Sequence, residues 1–239
     1  MKILSIDSSG LVAGVALMSD NVLVGEYTIH NKKTHSQTLL PMIADMLAMA
    51  EVKPEELDAI AVSAGPGSFT GLRIGASTAK GLAWTLGIPI VPVSSLMGLA
   101  ANVTEPGTVV CPMMDARRNQ VYYGIYRITG GIPEIIAEPD VAAVETVLGK
   151  VNALGEQMVY VGDGVPVFEQ VIREKSAGRF RLADAAERYQ RGASVAKLGS
   201  LLFEKKQVVA AENFTPVYLR KSQAEREREE KEGKQSSSQ

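Results

Sequence analysis

Lys2-Ile3-Leu4-Ser5-Ile6-Asp7 and Val109-Val110-Cys111-Pro112-Met113-Met114-Asp115 read as one device used twice. Each is a short apolar run that closes on an aspartate and is followed by a polar turn and two more extended runs. After Asp7, Ser8-Ser9-Gly10 leads into an extended run over 12–18, and Ser19-Asp20-Asn21 separates that from residues 22–29. After Asp115, Arg117-Arg118-Asn119 leads into 121–128, with a third run over 132–137. Extended runs joined by short turns predict antiparallel hairpins.

Beyond each triplet the period changes. Leu39, Leu40, Ile43, Met46 and Leu47 fall on one helical stripe, with Pro41 expected in the first turn and Thr38 or Ser36 near the cap. Pro54-Glu55-Glu56-Leu57 looks like a single helical turn, and residues 59–63 form a continuous apolar strand, as in a sheet covered on both faces. Gly65-Pro66-Gly67-Ser68-Phe69-Thr70-Gly71 then opens a helix to about Leu86, followed by a strand at 90–93 and a helix at 94–103. In the second copy, helices at 141–151, 165–175 and 193–206 interleave with strands at 158–161 and 180–182. Parallel strands joined through helices define the α/β class. Two βββαβα units predict a duplicated, two-lobed chain: residues 1–104, residues 105–221, and a charged tail at 222–239 too polar to bury a core.

Composition narrows the chemistry. The 239 residues are 46% apolar, enough for one large domain or two small ones. A single cysteine, Cys111, excludes internal disulfides and cysteine metal clusters, and it reads as a small buried hydrophobe. His30 and His35 are five apart in a polar stretch, not the helical i, i+4 of a ligand pair, so surface or capping roles are expected. The apolar runs are shorter than the ~20 residues of a membrane span, and Asp7 interrupts any signal-peptide core. A cytoplasmic location is expected. Net charge is −2, with six basic against eight acidic residues in 1–104 and fifteen against fourteen in 105–221. Neither half has the basic excess of an autonomous nucleic-acid binder. The basic stretch 173–206, nine against four, reads as solvated helix faces in preference to a polyanion site.

Three features carry candidate chemistry. The turn holding Gly65, Gly67 and Ser68 exposes backbone N–H groups at a helix start. It is a structural tight turn or a phosphate cradle, and neither a Walker loop nor a nucleophile elbow. Asp7, Ser8 and Ser9 close the first hairpin as an Asx turn, or aim a carboxylate at a metal–nucleotide pair. Gly71, Gly75, Ala79 and Ala83 recur every four residues. That bare stripe packs on its own sheet, or on another chain alongside the helix bearing Leu39, Leu40, Met42, Ile43, Met46, Leu47 and Met49, whose methionines suit an adaptable surface. The second alternative predicts that Gly75→Leu abolishes partner binding and spares the fold.

Ile6-Asp7-Ser8-Ser9, His35-Ser36-Gln37 with Leu39-Leu40-Pro41, the string from Gly65 to Gly75, Ala79-Lys80-Gly81-Leu82-Ala83, Val93-Ser94-Ser95-Leu96, Asp115-Ala116-Arg117-Arg118 and Pro216-Val217-Tyr218-Leu219-Arg220 together resemble the TsaB (YeaZ) family. The likeness is dense to about residue 120 and looser to Arg220. It implies the actin, sugar-kinase and Hsp70-like (ASKHA) superfold and a role in making threonylcarbamoyladenosine beside the anticodon of tRNAs that read A-starting codons. It also implies a TsaD paralogue holding the transferase site, a TsaE ATPase as further partner, and a homodimer when the chain is alone. No cofactor, membrane contact or catalytic residue is implied for this chain, which the family likeness makes a scaffold or activator. The paralogue's metal-binding histidine pair would fall at Ser95 and Leu99. Leucine cannot ligate a metal and serine is a poor substitute for imidazole. Contact with tRNA is expected to be weak or indirect, with Arg117, Arg118 and the 173–206 cluster contributing. The rival reading is a small-molecule kinase or ATPase of the same superfold using Asp7 and the glycine turn; a metalloprotease fails on the missing histidine pair.

Overall fold

The structure, a computed structural model, describes residues 1–31 and 33–220; the charged tail at 222–239 lies outside the described residues. The first sheet holds β1 (Lys2–Asp7), β2 (Ala13–Ser19), β3 (Val22–Ile29), β4 (Ala59–Gly65) and β5 (Ile90–Ser94), in the order β3-β2-β1-β4-β5. The second holds β6 (Val109–Asp115), β7 (Gln120–Thr129), β8 (Ile132–Ala143), β9 (Met158–Val161) and β10 (Phe180–Leu182), in the order β10-β9-β6-β7-β8. In both, the first three strands pair antiparallel and the last two add in parallel. Strand for strand the two sheets correspond, a duplicated α/β fold of two lobes.

Among the described residues the α-helices are α1 (His35–Met49), α2 (Phe69–Leu86), α3 (Ser95–Ala100), α4 (Val144–Leu154), α5 (Gly164–Lys175) and α6 (Gly192–Glu204). α1 and α2 cover one face of the first sheet, packing Leu39, Ile43, Met46, Ala79 and Ala83 on Leu4, Ile6, Ile60 and Val62. α4 and α5 cover the second sheet in the same way, through Val147, Leu148, Val165 and Ile172 on Val109, Cys111 and Tyr160. The remaining two helices are exchanged. On α3, Leu96, Leu99 and Ala100 pack on Val110, Met114, Tyr126 and Ile128 of the second sheet. On α6, Val195 and Leu198 pack on Ile3, Ala59, Ala61 and Val91 of the first.

That exchange corrects the expected division of the chain, because residues 193–206 build the core of the first lobe. α6 fits there because β4 is lined with alanines: Gly199 sits against the Ala61 methyl group, where any side chain would collide. Two local expectations also change. α1 starts at His35 after Thr34, so Pro41 lies in its second turn. Its missing N–H leaves the carbonyl of Gln37, on the exposed side, to solvent. β8 runs on to Ala143 and takes residues 141–143 from the expected helix, because Val141, Ala142 and Ala143 pair with Tyr122, Val121 and Gln120. As the edge strand, β8 accommodates Pro139 at an irregularity in the ladder.

Candidate functional site

The carboxyl ends of the parallel strands, where open α/β sheets place their ligand crevices, converge between the lobes. A cleft of about 400 Å³ lies there, lined by Ser9, Gly67, Phe69, Asp115, Asp163 and Tyr218 among others. On the first lobe, the structure brings Asp7, Ser8, Ser9, Gly65, Gly67 and Ser68 together and engages many of their polar groups within the chain. Asp7 is 1% exposed, and its Oδ1 accepts both the N–H and the hydroxyl of Ser9, at 2.9 and 2.7 Å. Burial pushes its carboxyl above the ordinary range, and the bonds from Ser9 oppose that rise. Ser8 donates its hydroxyl to the carbonyl of Gly71, at 2.8 Å. The N–H of Ser68 donates to Ser9 O at 2.7 Å, that of Gly71 to Ser68 Oγ at 3.2 Å, and that of Gly65 to Ser95 Oγ at 3.1 Å. The first hairpin and the glycine turn are zipped together. Asp7 therefore closes an Asx turn, and the glycine turn is tied to the first hairpin through the Ser68 N–H on Ser9 O.

Asp115 repeats the device on the second lobe, where its Oδ1 accepts the N–H of Arg117 at 2.8 Å, again two residues on. Its own N–H donates to Asp163 Oδ1 at 3.1 Å. Burial, with the like charge of Asp115 adding to it, pushes the Asp163 carboxyl from an ordinary 3.8 up to about 6, while the Arg117 charge pulls it down. Arg117, Arg118 and Asn119 all have left-handed backbones, with φ of 64°, 55° and 57°. Three successive non-glycine residues there are costly and need an over-determined surrounding. The turn holds Arg117 at the mouth of the cleft, its side chain 82% exposed and paired with Asp115 at 3.1 Å.

The small-residue stripe faces inward, which corrects its reading as a contact with another chain. A side-chain carbon at Gly71 would land on the carbonyl oxygen of Ser8, and one at Gly75 on the Ser8 hydroxyl. Ala79 and Ala83 are fully buried in the core of the first lobe. Leu39, Met42, Ile43, Met46 and Leu47 are buried there too, because that side of α1 is the one laid on the sheet. Leu40 and Met49 remain on the outward side of the α1–α2 layer, 54% and 79% exposed. On α2, Trp84 is also exposed, at 70%. Its signal in the sequence is a lone tryptophan one position off the buried stripe.

Elsewhere the basic stretch is largely engaged. Arg173 pairs with Glu169, Lys175 with Glu145, Arg181 with Glu187 and Arg191 with Glu26. His35 Nε2 bonds the carbonyl of Gly10 at 2.9 Å, and His30 packs edge-on to Tyr189. Cys111 is buried, and burial pushes its thiol up. Ser95 and Leu99 are both interior, Ser95 on Gly65 and Leu99 in the α3 cluster. The segment from Pro216 to Arg220 runs along the cleft. The N–H of Val217 donates to Ala64 O at 2.7 Å, the Tyr218 ring packs on Phe69, and Arg220 Nη1 donates to Ala116 O at 2.7 Å across the cleft. Gly65, at φ 116°, is required there, because a side chain would strike the carbonyl of Val217. Among the described residues no helix is long and apolar enough to cross a membrane.

A family model described as TsaD, tRNA N6-adenosine threonylcarbamoyltransferase, matches residues 23–228. The chain is 34% identical to the tRNA threonylcarbamoyladenosine biosynthesis protein TsaB of Bacillus subtilis, covering 94% of this chain and 96% of that one. It is 31% identical to the protein of that name from Escherichia coli, over the same shares. The solved structure of YeaZ from Pseudomonas aeruginosa superimposes with a TM-score of 0.80 at 30% identity, over 91% of this chain and 99% of that one.

Proposed function

Because the chain belongs to the TsaB family of tRNA threonylcarbamoyladenosine biosynthesis proteins, we propose that it serves that pathway as a non-catalytic subunit. In this reading it is a scaffold or activator of the enzyme that transfers a threonylcarbamoyl group to the adenosine beside the anticodon of tRNAs reading A-starting codons. The observation that carries it is the interior of α3. Where the family resemblance would place the catalytic paralogue's histidine pair stand Ser95, committed to the N–H of Gly65, and Leu99, buried against the second sheet. Neither offers an imidazole, and neither faces a cleft. The chemistry then belongs to a TsaD paralogue, with a TsaE ATPase completing the assembly.

The surface that supports pairing with that paralogue, or with a second copy, is the outward side of α1 and α2 around Leu40, Met49 and Trp84. Large apolar side chains left exposed together on a helical layer are characteristic of protein contacts, and a stable one buries more than ~1,000 Å². The rival kinase or ATPase reading loses support from the zipped turns, since the N–H groups of Ser68 and Gly71 and the carboxylate of Asp7 already have partners within the chain. The test is reconstitution with the TsaD paralogue, the TsaE ATPase and substrate tRNA, omitting one component at a time. Modification should fail without this chain, and the chain alone should modify nothing. Micromolar Mg·ATP binding by the chain alone, measured by calorimetry, would favour the kinase instead.

A further inference from the structure

The cleft combines groups that the interlocked turns do not use. The guanidinium of Arg73 lies 4.0 Å from the Phe69 ring centre, and the Tyr218 ring packs on Phe69 at 4.9 Å between centroids, tilted by 41°. Tyr218 is 39% exposed. It is held in place from behind: Lys80 Nζ donates to the carbonyls of Glu212 and Phe214 at 3.2 and 3.1 Å, and the N–H of Val217 is tied to Ala64. Opposite this aromatic wall lie the carboxylates of Asp115 and Asp163, which accept N–H donors and repel phosphate. The cation of the strained turn, Arg117, stands at the mouth and not on the floor. The N–H groups of Ser68 and Gly71 at the turn already have partners within the chain. A flat ring with exocyclic N–H donors fits the interior, and a phosphodiester passing the rim fits Arg117.

We propose that this cleft receives one unpaired base of an RNA loop, stacked on Tyr218 beside Phe69, hydrogen-bonded to Asp115 or Asp163, with the adjoining backbone phosphate at Arg117. The proposal rests on the tRNA-pathway reading for the identity of the RNA. It assigns this subunit a direct part in holding the loop, beyond its service to a catalytic partner. Stacking on aromatic side chains tolerates any base, while splayed-out loop bases are the usual target of RNA-binding sites.

The probe is an anticodon stem-loop RNA carrying 2-aminopurine in its loop, titrated with the full chain at low salt. The native chain should quench the 2-aminopurine emission at saturation. Tyr218→Ala should weaken binding about 5- to 100-fold and abolish the quench, since a base–aromatic stack is lost. Tyr218→Phe should restore both, which a merely structural hydroxyl would not allow. Arg117→Gln should keep the quench but flatten the slope of log affinity against log salt by about 0.7, one phosphate contact on a single strand. Unchanged affinity and quench in Tyr218→Ala would overturn the proposal, as would displacement of the RNA by micromolar AMP or ATP, which would assign the cleft to a free nucleotide. If the native chain neither binds nor quenches while the omission assay still requires it, the cleft proposal falls and the pathway reading stands. If it binds and quenches while the omission assay does not require it, the base pocket stands and the pathway reading falls.

Discussion

Asp163 shows at the scale of one residue what the cleft costs. Its carboxyl is nine-tenths buried and titrates near 6 because burial disfavours the charge. With the folded value above the ordinary 3.8, the folded state holds the proton more tightly. The residue's contribution to stability is full below about pH 4 and is lost as pH rises through about 6. At 1.36 kcal/mol per decade, the loss approaches about 3 kcal/mol at neutral pH. Asp163→Asn keeps an acceptor for the N–H of Asp115 and removes the charge. It should raise the thermal midpoint at pH 7.5, with the advantage over the native chain shrinking as pH falls from 6 towards 4. Thermal melts across that range check the sign, and an advantage that grows with acidity would refute the assignment. Asp7 is buried with the same direction of shift, but it has both bonds from Ser9, which ties it to the turn.

At the scale of an element, α2 presents two opposite surfaces. Its small side meets Ser8 and the first sheet at contact distance. Gly75→Leu should therefore destabilise the isolated chain by about 3 kcal/mol, a fall of roughly 6–12 °C in Tm, because overpacked cores cost that much and more. A normal melt with lost association would return the stripe to an interface. The outward side should behave in the opposite way. Trp84 stands 70% exposed, so in Trp84→Lys the stability of the isolated chain should stay within about 0.5 kcal/mol of native. Association with the paralogue should weaken about 30-fold, as for a tryptophan at the centre of a contact. Analytical ultracentrifugation of both variants separates the two surfaces of one helix.

For the whole molecule, the exchange of α3 and α6 makes the lobes interdependent. Residues 1–104 alone lack α6 and expose Ile3, Ala59, Ala61 and Val91; residues 105–221 alone lack α3 and expose Val110, Met114, Tyr126 and Ile128. Arg191 and the N–H of Ala193 both bind Glu26 of β3, fastening the start of α6 to the first sheet. Each fragment expressed separately should lack a cooperative melt by circular dichroism, whereas the intact chain should melt in one calorimetric transition. A cooperative melt of the 1–104 fragment would show that the exchanged helix is dispensable.

Local pattern alone determined most of the element order. Lys2–Asp7, Val22–Ile29, Met158–Val161 and Phe180–Leu182 were legible to the residue because alternation, apolar runs and turn residues act over a few positions. The repeated aspartate-closed strand was legible for the same reason, since Asp7 and Asp115 each bond the N–H two residues ahead. Which way a helix faces was not. The stripe of Gly71, Gly75, Ala79 and Ala83 has the same composition whether it meets its own sheet or another chain, and only the position of Ser8, more than sixty residues earlier in the chain, decides it. The pairing of Arg191 with Glu26, the packing of Tyr218 on Phe69 and the crossing of α6 to the first lobe are contacts between residues far apart in sequence. Periodicity says which residues must be buried, and tertiary packing alone chooses what buries them.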